Sequence, residues 1–255
     1  MRILPTSALH QEGGIVPSIL TGAVVLVTGA NGGLGTEFVQ QCLSRGAAKV
    51  YATARTPRHR PDPRIVALSL DVTDEESVAE AAAIAGDTTV LINNAGVLRF
   101  GDSLLSDSMA DIRSTFETNF FGPLLVTRAF APVLRANGGG ALIDVHSIFS
   151  WLALMGSYSA AKAALWSATN SFRQDLAGQG TQVVGLHLGV TATPMTVGYQ
   201  APMNRASDVV RIALDGLEAG ELEVITDDRT AAVKQGLCGS IGDLYPRFAR
   251  PGQSS

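Results

Sequence analysis

The sequence predicts an α/β fold in which one doubly wound parallel β-sheet carries helices on both faces. Three observations predict it: from Ala23 onward short apolar runs alternate with helical stretches, the runs are continuous, and no break in composition interrupts the alternation. Continuous runs are typical of strands buried on both faces, and intervening helices imply parallel pairing with right-handed crossovers. A length of 255 residues fits one large domain or two small ones. The unbroken alternation favours one domain over 21–255, after a flexible N-terminal overhang, 1–20.

The predicted strands are short runs rich in β-branched and aliphatic residues. The first of them, AVVLVT, lies between Gly22 and Gly29, as expected of a strand covered on both faces. The predicted strands cover residues 23–28, 49–54, 64–70, 89–94, 141–147, 182–188 and 222–226. They predict a sheet of seven strands.

The predicted helices fill the intervals between these strands. Asp74 is a suitable N-cap for the second helix, and Ser207 or Asp208 for the last. Pro123 should kink or interrupt the third helix, because proline has no N–H to donate within a helix. The predicted helices cover residues 33–45, 74–84, 109–136, 157–177 and about 207–220.

Composition excludes several classes of protein. Hydrophobic residues make up 46% of the chain and charged residues 16%, which is not the composition of a disordered protein. The 19 basic and 23 acidic residues give a net charge of -4. This balance predicts neither a nucleic-acid partner nor an anionic membrane surface as partner.

Cysteine content and hydropathy indicate a soluble protein of a reducing compartment. Cys42 and Cys238 have no CxxC partners, so we expect neither a disulfide framework nor a metal site. No apolar run reaches the roughly 18 residues of a membrane-spanning helix, and polar residues and glycines interrupt the N-terminal stretch where a signal peptide would be continuous. We therefore expect a cytoplasmic location.

A glycine-rich turn separates the first predicted strand from the first predicted helix. It reads Thr28-Gly-Ala-Asn-Gly-Gly-Leu-Gly35. Glycines at such a turn let the backbone approach a dinucleotide pyrophosphate, and the N-terminus of the helix supplies amide donors and a positive dipole end. The alternative is a structural turn without a ligand. Its place between strand and helix favours nucleotide binding.

The glycine spacing and an ordered series of later motifs resemble the short-chain dehydrogenase/reductase family, in its compact single-domain branch with a Rossmann-type fold. The resemblance covers about residues 22–226. The motifs, in chain order, are the G-x-x-x-G-x-G turn, Asp71, Asn93-Asn94-Ala95-Gly96, Asn119, Ser147 and Tyr158-x-x-x-Lys162.

The resemblance implies a nicotinamide dinucleotide cofactor and the residues that bind it. In relatives, residues equivalent to Asp71 and Val72 contact the adenine, although Asp71 alternatively caps its own turn. For Asn93, a structural role in the sheet is the alternative to a direct contact with the cofactor. The implied cofactor-binding residues are Gly29, Asn31, Gly33, Leu34, Gly35, Arg55, Asp71, Val72, Asn93, Ala95, Gly96, Tyr158, Lys162, Val190 and Thr193.

The residues at the end of the second predicted strand favour NADP(H). An acid there would bind both ribose hydroxyls and repel a 2′-phosphate, but this chain has Ala54-Arg55, with Arg58 and Arg60 close behind. A guanidinium pairs bidentately with phosphate. Gly32 stands where many NADP-preferring relatives carry a basic residue, so NAD(H) stays open, and the arginines alternatively form a solvated loop.

The implied catalytic residues are Ser147, Tyr158, Lys162 and Asn119. Tyr158 fits the proton donor of carbonyl reduction, and Lys162 lies one helical turn away, where its ammonium should lower the pKa of the phenol. Ser147 would hydrogen-bond the substrate oxygen. Asn119 would hold a water molecule that links Lys162 to solvent.

Two departures from the family pattern affect this assignment. Ser147 and Tyr158 are 11 residues apart, fewer than is usual, so the loop 151–157 is short and Ser150 is a less favoured substitute for Ser147. Leu188 precedes Gly189 where relatives have proline.

His146, next to Ser147, raises the alternative of a Ser/His nucleophilic site. No serine lies in a G-x-S-x-G elbow, and neighbouring side chains of a strand point in opposite directions. We therefore expect His146, and likewise His187, to be packed histidines.

The resulting hypothesis is an NADP(H)-dependent oxidoreductase that interconverts a ketone or aldehyde and an alcohol. Alternatives are a reductase of an imine or activated C=C bond and a non-catalytic nucleotide sensor.

Substrate identity should depend on the segments 97–106, 151–157 and 191–204 and on the C-terminal tail. Their apolar residues predict a hydrophobic or aromatic small-molecule substrate, although the same residues would also suit subunit contacts; they are Phe149, Trp151, Met155, Met195, Tyr199 and Met203. The resemblance implies a homodimer or homotetramer built on the helices that carry Asn119 and Tyr158.

Overall fold

The computed structural model describes residues 18–98, 103–200 and 202–248. Most of the predicted N-terminal overhang and part of the segment 97–106 therefore lie outside the described residues. The elements in chain order are β1 (Val24–Val27), α1 (Gly33–Ser44), β2 (Lys49–Ala54), β3 (Ile65–Ser69), α2 (Glu75–Ile84), β4 (Val90–Asn93), α3 (Met109–Phe116), α4 (Gly122–Ala136), β5 (Ala141–Val145), α5 (Gly156–Ala177), β6 (Gln182–His187), β7 (Thr191–Ala192), β8 (Asn204–Arg205), α6 (Ala206–Glu218), β9 (Glu223–Ile225), α7 (Asp228–Gly236) and α8 (Ile241–Leu244).

Seven of the strands form one parallel sheet in the order β3-β2-β1-β4-β5-β6-β9. These are the seven predicted strands, so the predicted doubly wound fold is confirmed. The strand order reverses direction between β1 and β4, and in open α/β sheets ligands bind at such a switch point, beyond the carboxyl ends of the strands. The two-residue strands β7 and β8 pair with each other outside this sheet, and the sequence did not predict them.

The core lies in two layers, one on each face of the sheet. Val25 and Val27 of β1 belong to the cluster that includes Phe38 of α1, whereas Leu26 belongs to the cluster on the other face, with Phe130 of α4. All five side chains are fully buried. Helices on both faces thus explain why the strand reads as a continuous apolar run. Within the described ranges, no helix combines the length and the apolar character that crossing a bilayer would need.

The long predicted helix 109–136 is divided into α3 and α4 by a π-helical turn, Glu117–Phe121. Pro123 lies in the first turn of α4. It has no N–H to donate to the Asn119 carbonyl four residues earlier, so α-helical bonding cannot continue through this turn. The predicted interruption is therefore confirmed, and the irregular turn that carries it contains Asn119.

Asp74 caps α2 as predicted, and its side chain accepts hydrogen bonds from the backbone N–H groups of Glu76 and Ser77. The predicted caps of α6 are wrong. That helix begins one residue earlier than Ser207, and its N-cap position is occupied by Arg205, whose side chain makes no capping hydrogen bond. The pairing of β8 with β7 fixes the chain direction at this point, which a local capping pattern does not reveal.

Candidate active site

One cavity of about 1000 Å³ lies at the carboxyl ends of the central strands. The turns after β1, β2, β3, β4, β5 and β6 all contribute to its wall. Of the predicted site residues, only Asn93 and Asn119 do not line it. Those that do are Gly29, Asn31, Gly33, Leu34, Gly35, Arg55, Asp71, Val72, Ala95, Gly96, Ser147, Tyr158, Lys162, Val190 and Thr193.

The glycine turn is so tightly packed that side chains are excluded at several of its positions. A Cβ on Gly35 would lie 2.3 Å from the carbonyl oxygen of Gly29, and one on Gly29, where φ is +66°, would lie 2.9 Å from the Cα of Ala95. A Cβ on Gly33 would lie 2.9 Å from Cγ2 of Thr193. The turn therefore presents bare backbone to the cavity at the N-terminus of α1, which is the arrangement that a pyrophosphate needs.

Asn94 holds this turn against β4. Its side-chain Nδ2 donates to the carbonyl oxygens of Thr28 and Gly29 at 2.8 and 3.2 Å. In return, the backbone N–H groups of Asn94 and Ala95 donate to the Thr28 hydroxyl at 2.9 and 3.0 Å. Asn94 belongs to the Asn93-Asn94-Ala95-Gly96 motif but was not among the predicted site residues. Its partner lies 66 residues away, so no local pattern indicates this role.

The predicted arginines Arg55, Arg58 and Arg60 follow β2, and the last two are hydrogen-bonded to the glycine turn. The carboxamide of Asn31 donates to the Thr56 carbonyl at 2.8 Å and accepts from the backbone N–H of Arg58 at 3.3 Å. The guanidinium of Arg60 donates to the Ala30 carbonyl at 2.7 Å. Arg55 lines the cavity itself. The described loop after β2 therefore presents positive charge to the same end of the cavity as the glycine turn.

Asp71 caps its own turn. Its Oδ1 accepts from the backbone N–H and the hydroxyl of Thr73, at 3.0 and 2.8 Å. The backbone hydrogen bond from Thr73 does most to hold the pKa of Asp71 below its usual value, and Arg55 adds an electrostatic contribution. The capping alternative is thus confirmed. The predicted contact with adenine stays a prediction.

Asn93 takes the structural role that the sequence left open. It is buried in the sheet, and its Nδ2 donates to the Thr127 hydroxyl and to Oδ1 of Asp144, both at 2.9 Å. Because its side chain points between β4, β5 and α4, it does not reach the cavity wall. A direct contact between Asn93 and a cofactor is not supported.

Ser147 and Tyr158 meet at the wall of the cavity. Ser147 lies just beyond β5 and caps a short 3-10 turn, accepting from the Phe149 backbone N–H at 3.2 Å. Tyr158 lies in the first turn of α5 and is buried, and its side chain hydrogen-bonds with Ser147. The Ser150 hydroxyl accepts a hydrogen bond from the Ser147 backbone N–H, and Ser150 does not line the cavity. The geometry therefore favours Ser147 over Ser150.

Lys162 is directed at backbone rather than at the phenol. Its ammonium donates to the Val145 carbonyl at 2.7 Å and lies 5.9 Å from the ring centre of Tyr158. Burial lowers the pKa of Lys162 to about 8. Burial also raises the pKa of Tyr158 to about 12, against the opposing effect of the hydrogen bond with Ser147. The predicted lowering of the phenol pKa by Lys162 is therefore not found, and Ser147 rather than Lys162 supplies the effect that opposes burial.

The carboxamide of Asn119 is fully occupied as a donor. Its Nδ2 donates to the Val97 and Thr115 carbonyls at 2.9 and 3.0 Å, and its Oδ1 accepts from the Val97 backbone N–H at 3.1 Å. A Cβ on Gly96 would lie 2.9 Å from Asn119 Oδ1 and 3.9 Å from Lys162 Nζ. Asn119 thus fastens the chain after β4 to the π-helical turn, close to Lys162. That Asn119 binds a water molecule linking Lys162 to solvent stays a prediction.

His146 and His187 are packed histidines, as expected. Nε2 of His146 contacts the Thr169 hydroxyl at 3.1 Å, and its ring stacks on His187 with centroids 4.7 Å apart. His187 stacks in turn on Trp151 at 4.0 Å. Burial lowers the pKa of both imidazoles, that of His187 to about 3. Neutral, stacked rings of this kind do not form a Ser/His nucleophilic pair.

The substrate side of the cavity is apolar in part. Of the six apolar residues expected there, Trp151 is buried under His187 instead, and Met203 does not reach the wall. The four that line the cavity are Phe149, Met155, Met195 and Tyr199.

Comparisons with known proteins agree with this geometry. A family model described as short chain dehydrogenase matches residues 23–204. The chain is 30% identical to a ketoacyl reductase of Nostoc sp. over 75% of each protein. It is 35% identical to a 1-deoxy-11-beta-hydroxypentalenate dehydrogenase of Streptomyces exfoliatus over 72% of each. A crystal structure of a short chain dehydrogenase from Burkholderia cenocepacia in complex with NADP superposes with a TM-score of 0.84 at 38% identity, over 91% of this chain and 99% of that one.

Proposed function

This chain belongs to the short-chain dehydrogenase family, and we propose that it is an NADP(H)-dependent oxidoreductase that interconverts a ketone or aldehyde and the corresponding alcohol. One observation carries the proposal. The hydrogen-bonded pair of Ser147 and Tyr158, with Lys162, stands in the wall of the same cavity that the glycine turn and Arg55 enter. A reacting carbonyl and a dinucleotide would therefore share one cavity.

The residues present fit a dinucleotide. The glycine turn is packed too closely to admit a side chain at Gly33 or Gly35, so its backbone faces the cavity without side chains at the N-terminus of α1, where helix donors are available to a phosphate. Arg55, without a carboxylate at the end of β2, supports NADP(H) over NAD(H), and the relative from Burkholderia cenocepacia was crystallised with NADP. In this arrangement Lys162 would hold the nicotinamide ribose and Val190 and Thr193 the nicotinamide end, as the family resemblance implies.

When bound, the nicotinamide supplies or accepts the hydride. The hydroxyls of Ser147 and Tyr158 converge on one point of the wall, where both would hydrogen-bond a substrate oxygen. Such donors stabilise the negative charge that develops on the oxygen as the carbonyl is reduced. Tyr158 then transfers the proton of its Oη to that oxygen.

The protonation states suit reduction near neutral pH. The pKa of Tyr158 is raised to about 12 by burial, so the phenol keeps the proton that it must donate. The pKa of Lys162 is lowered to about 8 by burial, so its ammonium is still charged at pH 7. Oxidation of an alcohol would require the reverse, a phenolate formed first in a dry site.

The apolar wall formed by Phe149, Met155, Met195 and Tyr199 supports a hydrophobic or aromatic substrate. An imine or an activated C=C bond would need the same hydride and the same proton donor, so a reductase of such bonds is the second candidate. Cytoplasmic location and a homodimer or homotetramer stay predictions.

The test is a panel of ketones, aldehydes, alcohols, imines and enones, assayed with NADPH and NADH and followed by absorbance of the reduced cofactor. We expect oxidation of NADPH with carbonyl compounds. Turnover confined to imines or enones would favour the second candidate. NADPH binding without turnover of any panel compound would favour a nucleotide sensor and contradict the proposal.

A further inference from the structure

The short loop 151–157, which joins the Ser147 turn to α5, is fastened from inside the protein at two points. The Ser159 hydroxyl donates to the Leu152 carbonyl at 2.9 Å and accepts from the Met155 backbone N–H at 3.0 Å. Trp151 is buried against His187. Ala153 and Leu154 lie between these two points and form the exposed bulge of the loop, where the Leu154 side chain is half exposed.

The chain after β9, residues 228–248, supplies the contacts to that bulge and to Trp151. The Ala153 backbone N–H donates to the hydroxyl of Tyr245, just after α8, at 2.8 Å. The ammonium of Lys234 on α7 lies 5.9 Å from the ring centre of Trp151 and forms an ion pair with Glu223 of β9. This distance is within cation–π range. Residues 228–248 thus contact the loop from outside, although Ala153 and Tyr245 are 92 residues apart in the sequence.

Both ends of the loop lead to the proposed reacting groups. At one end Trp151 stacks on His187, which stacks on His146 beside Ser147. Glu223 lies 3.5 Å from Nε2 of His187, so the ion pair of Lys234 borders the same stack. At the other end Met155, the N-cap residue of α5, lines the cavity three residues before Tyr158.

We propose that Tyr245 and Lys234 are positioning residues that set the place of the loop 151–157, and through Met155 the size of the substrate side of the cavity. The role in substrate selection rests on the proposed function. The contact between residues 228–248 and the loop does not rest on the proposed function, because it is present in the protein whatever reaction is catalysed. The contact and the role in substrate selection can therefore be tested separately.

The first experiment uses Tyr245→Phe, which removes only the acceptor of the Ala153 N–H. Tyr51→Phe is its matched control, because the Tyr51 hydroxyl hydrogen-bonds to Asp87 at 2.9 Å and Tyr51 lies on β2, three strands from β5 in the sheet. We expect amide hydrogen exchange in the loop 151–157 of the full chain to become about fivefold faster in Tyr245→Phe, as suits one lost hydrogen bond. In Tyr51→Phe we expect no change there. Equal exchange in both variants would overturn the proposal.

The second experiment uses Lys234→Met, which keeps the aliphatic stem and removes the charge beside Trp151. Lys49→Met is its control, because Lys49 pairs with Asp87 and lies 4.7 Å from the ring centre of Tyr51. The protein contains only two tryptophans, Trp151 and Trp166, whose rings meet edge to face with centroids 6.1 Å apart. Tryptophan fluorescence therefore reports on the surroundings of Trp151. We expect a spectral shift in Lys234→Met and none in Lys49→Met. An unchanged spectrum in Lys234→Met would remove Lys234 from the proposal.

The third experiment separates positioning from stability by steady-state kinetics with benzaldehyde and 2-naphthaldehyde. We expect Tyr245→Phe to raise KM for 2-naphthaldehyde about fivefold, to leave kcat and the Kd of NADPH within about twofold, and to affect benzaldehyde less. Equal KM values in Tyr245→Phe and wild type would confine Tyr245 to a structural role and overturn the claim on selection. If neither aldehyde is reduced by wild type, the proposed function loses support while exchange and fluorescence still decide the positioning.

Discussion

The ammonium of Lys162 donates a 2.7 Å hydrogen bond to the backbone carbonyl of Val145, two residues before Ser147. The bond joins α5 to the carboxyl end of β5. Because Tyr158 lies one turn earlier on α5 than Lys162, the same bond helps to hold Tyr158 against Ser147. A buried ammonium is costly unless other charges offset it, and here Asp144 opposes the lowering of the Lys162 pKa that burial causes.

The buried ammonium of Lys162 should make stability depend on pH. Its pKa is about 8 in the folded protein and 10.5 in an exposed lysine, so above pH 8 the unfolded chain holds a proton that the folded chain has released. Stability therefore rises with pH in this window, and the cost of burying the charge is fully present only below pH 8. Tyr158 opposes the rise only above pH 10, because its folded pKa is raised from 10 to about 12.

We predict that Lys162→Met removes this rise. The difference in free energy of unfolding between wild type and variant should change by about 2 kcal/mol between pH 8 and pH 10, measured by urea denaturation. Lys49→Met is the control, because hydrogen bonding to Asp87 raises the pKa of Lys49 and moves its titration above this window. A pH-independent difference between wild type and Lys162→Met would contradict the prediction.

Replacement of Tyr158 by Phe should abolish turnover without abolishing cofactor binding. The variant keeps the ring that packs in the wall and loses the proton that the reaction needs, so we expect kcat to fall at least about 100-fold. NADPH affinity, measured by fluorescence titration, should stay within about threefold. Tyr51→Phe should have neither effect. Retained turnover in Tyr158→Phe would exclude Tyr158 as the proton donor.

Arg55→Ala should weaken NADPH binding selectively. Loss of a charge-assisted pair with the 2′-phosphate should raise the Kd of NADPH about tenfold or more and change that of NADH less than about twofold. Arg64→Ala is a matched control, because the Arg64 guanidinium pairs with Asp62 at 2.8 Å and does not line the cavity. Equal losses for both cofactors, measured by calorimetry, would place Arg55 outside the 2′-phosphate site.

Gly35→Ala should destabilise the protein. The added Cβ would lie 2.3 Å from the Gly29 carbonyl oxygen and 2.8 Å from the Cα of Ala30, both of them backbone atoms that cannot rotate away. We expect a loss of about 2–3 kcal/mol in the free energy of unfolding. Gly178→Ala has open space around its Cβ and a φ of -65°, so its stability should be unchanged or slightly raised. Urea denaturation of both variants, with unchanged m-values, tests the contrast.

Much of the fold follows from local patterns that can be found in the sequence. The seven strands of the sheet and the five helices predicted between them were found because apolar runs and helical periodicity report on which side of an element is buried. Gly29 follows one predicted strand and Ser147 ends another, and the carboxyl ends of parallel strands meet at one edge of a sheet. The resemblance to the family added Tyr158 and Lys162, and all four line the same cavity.

Other features depend on groups that only folding brings together. The pKa of Tyr158 follows from how completely water is excluded around it, and the hydrogen bonds of Asn119 follow from where Val97 passes the π-helical turn. Neither burial nor the direction of a side chain is encoded by residue type at one position. For this reason the expected lowering of the Tyr158 pKa was not found.

By itself, the sequence determined the class of fold and the positions of the strands, because these depend on periodicity, and its resemblance to a known family identified most of the predicted site residues that line the cavity, but not Asn94. Tertiary structure alone decided that Asn94 braces the glycine turn, that β7 and β8 pair, and that Tyr245 reaches the loop 151–157. Each of these contacts joins residues that are far apart in the chain or that make no repeating pattern, and their geometry is set by the packing of the elements between them.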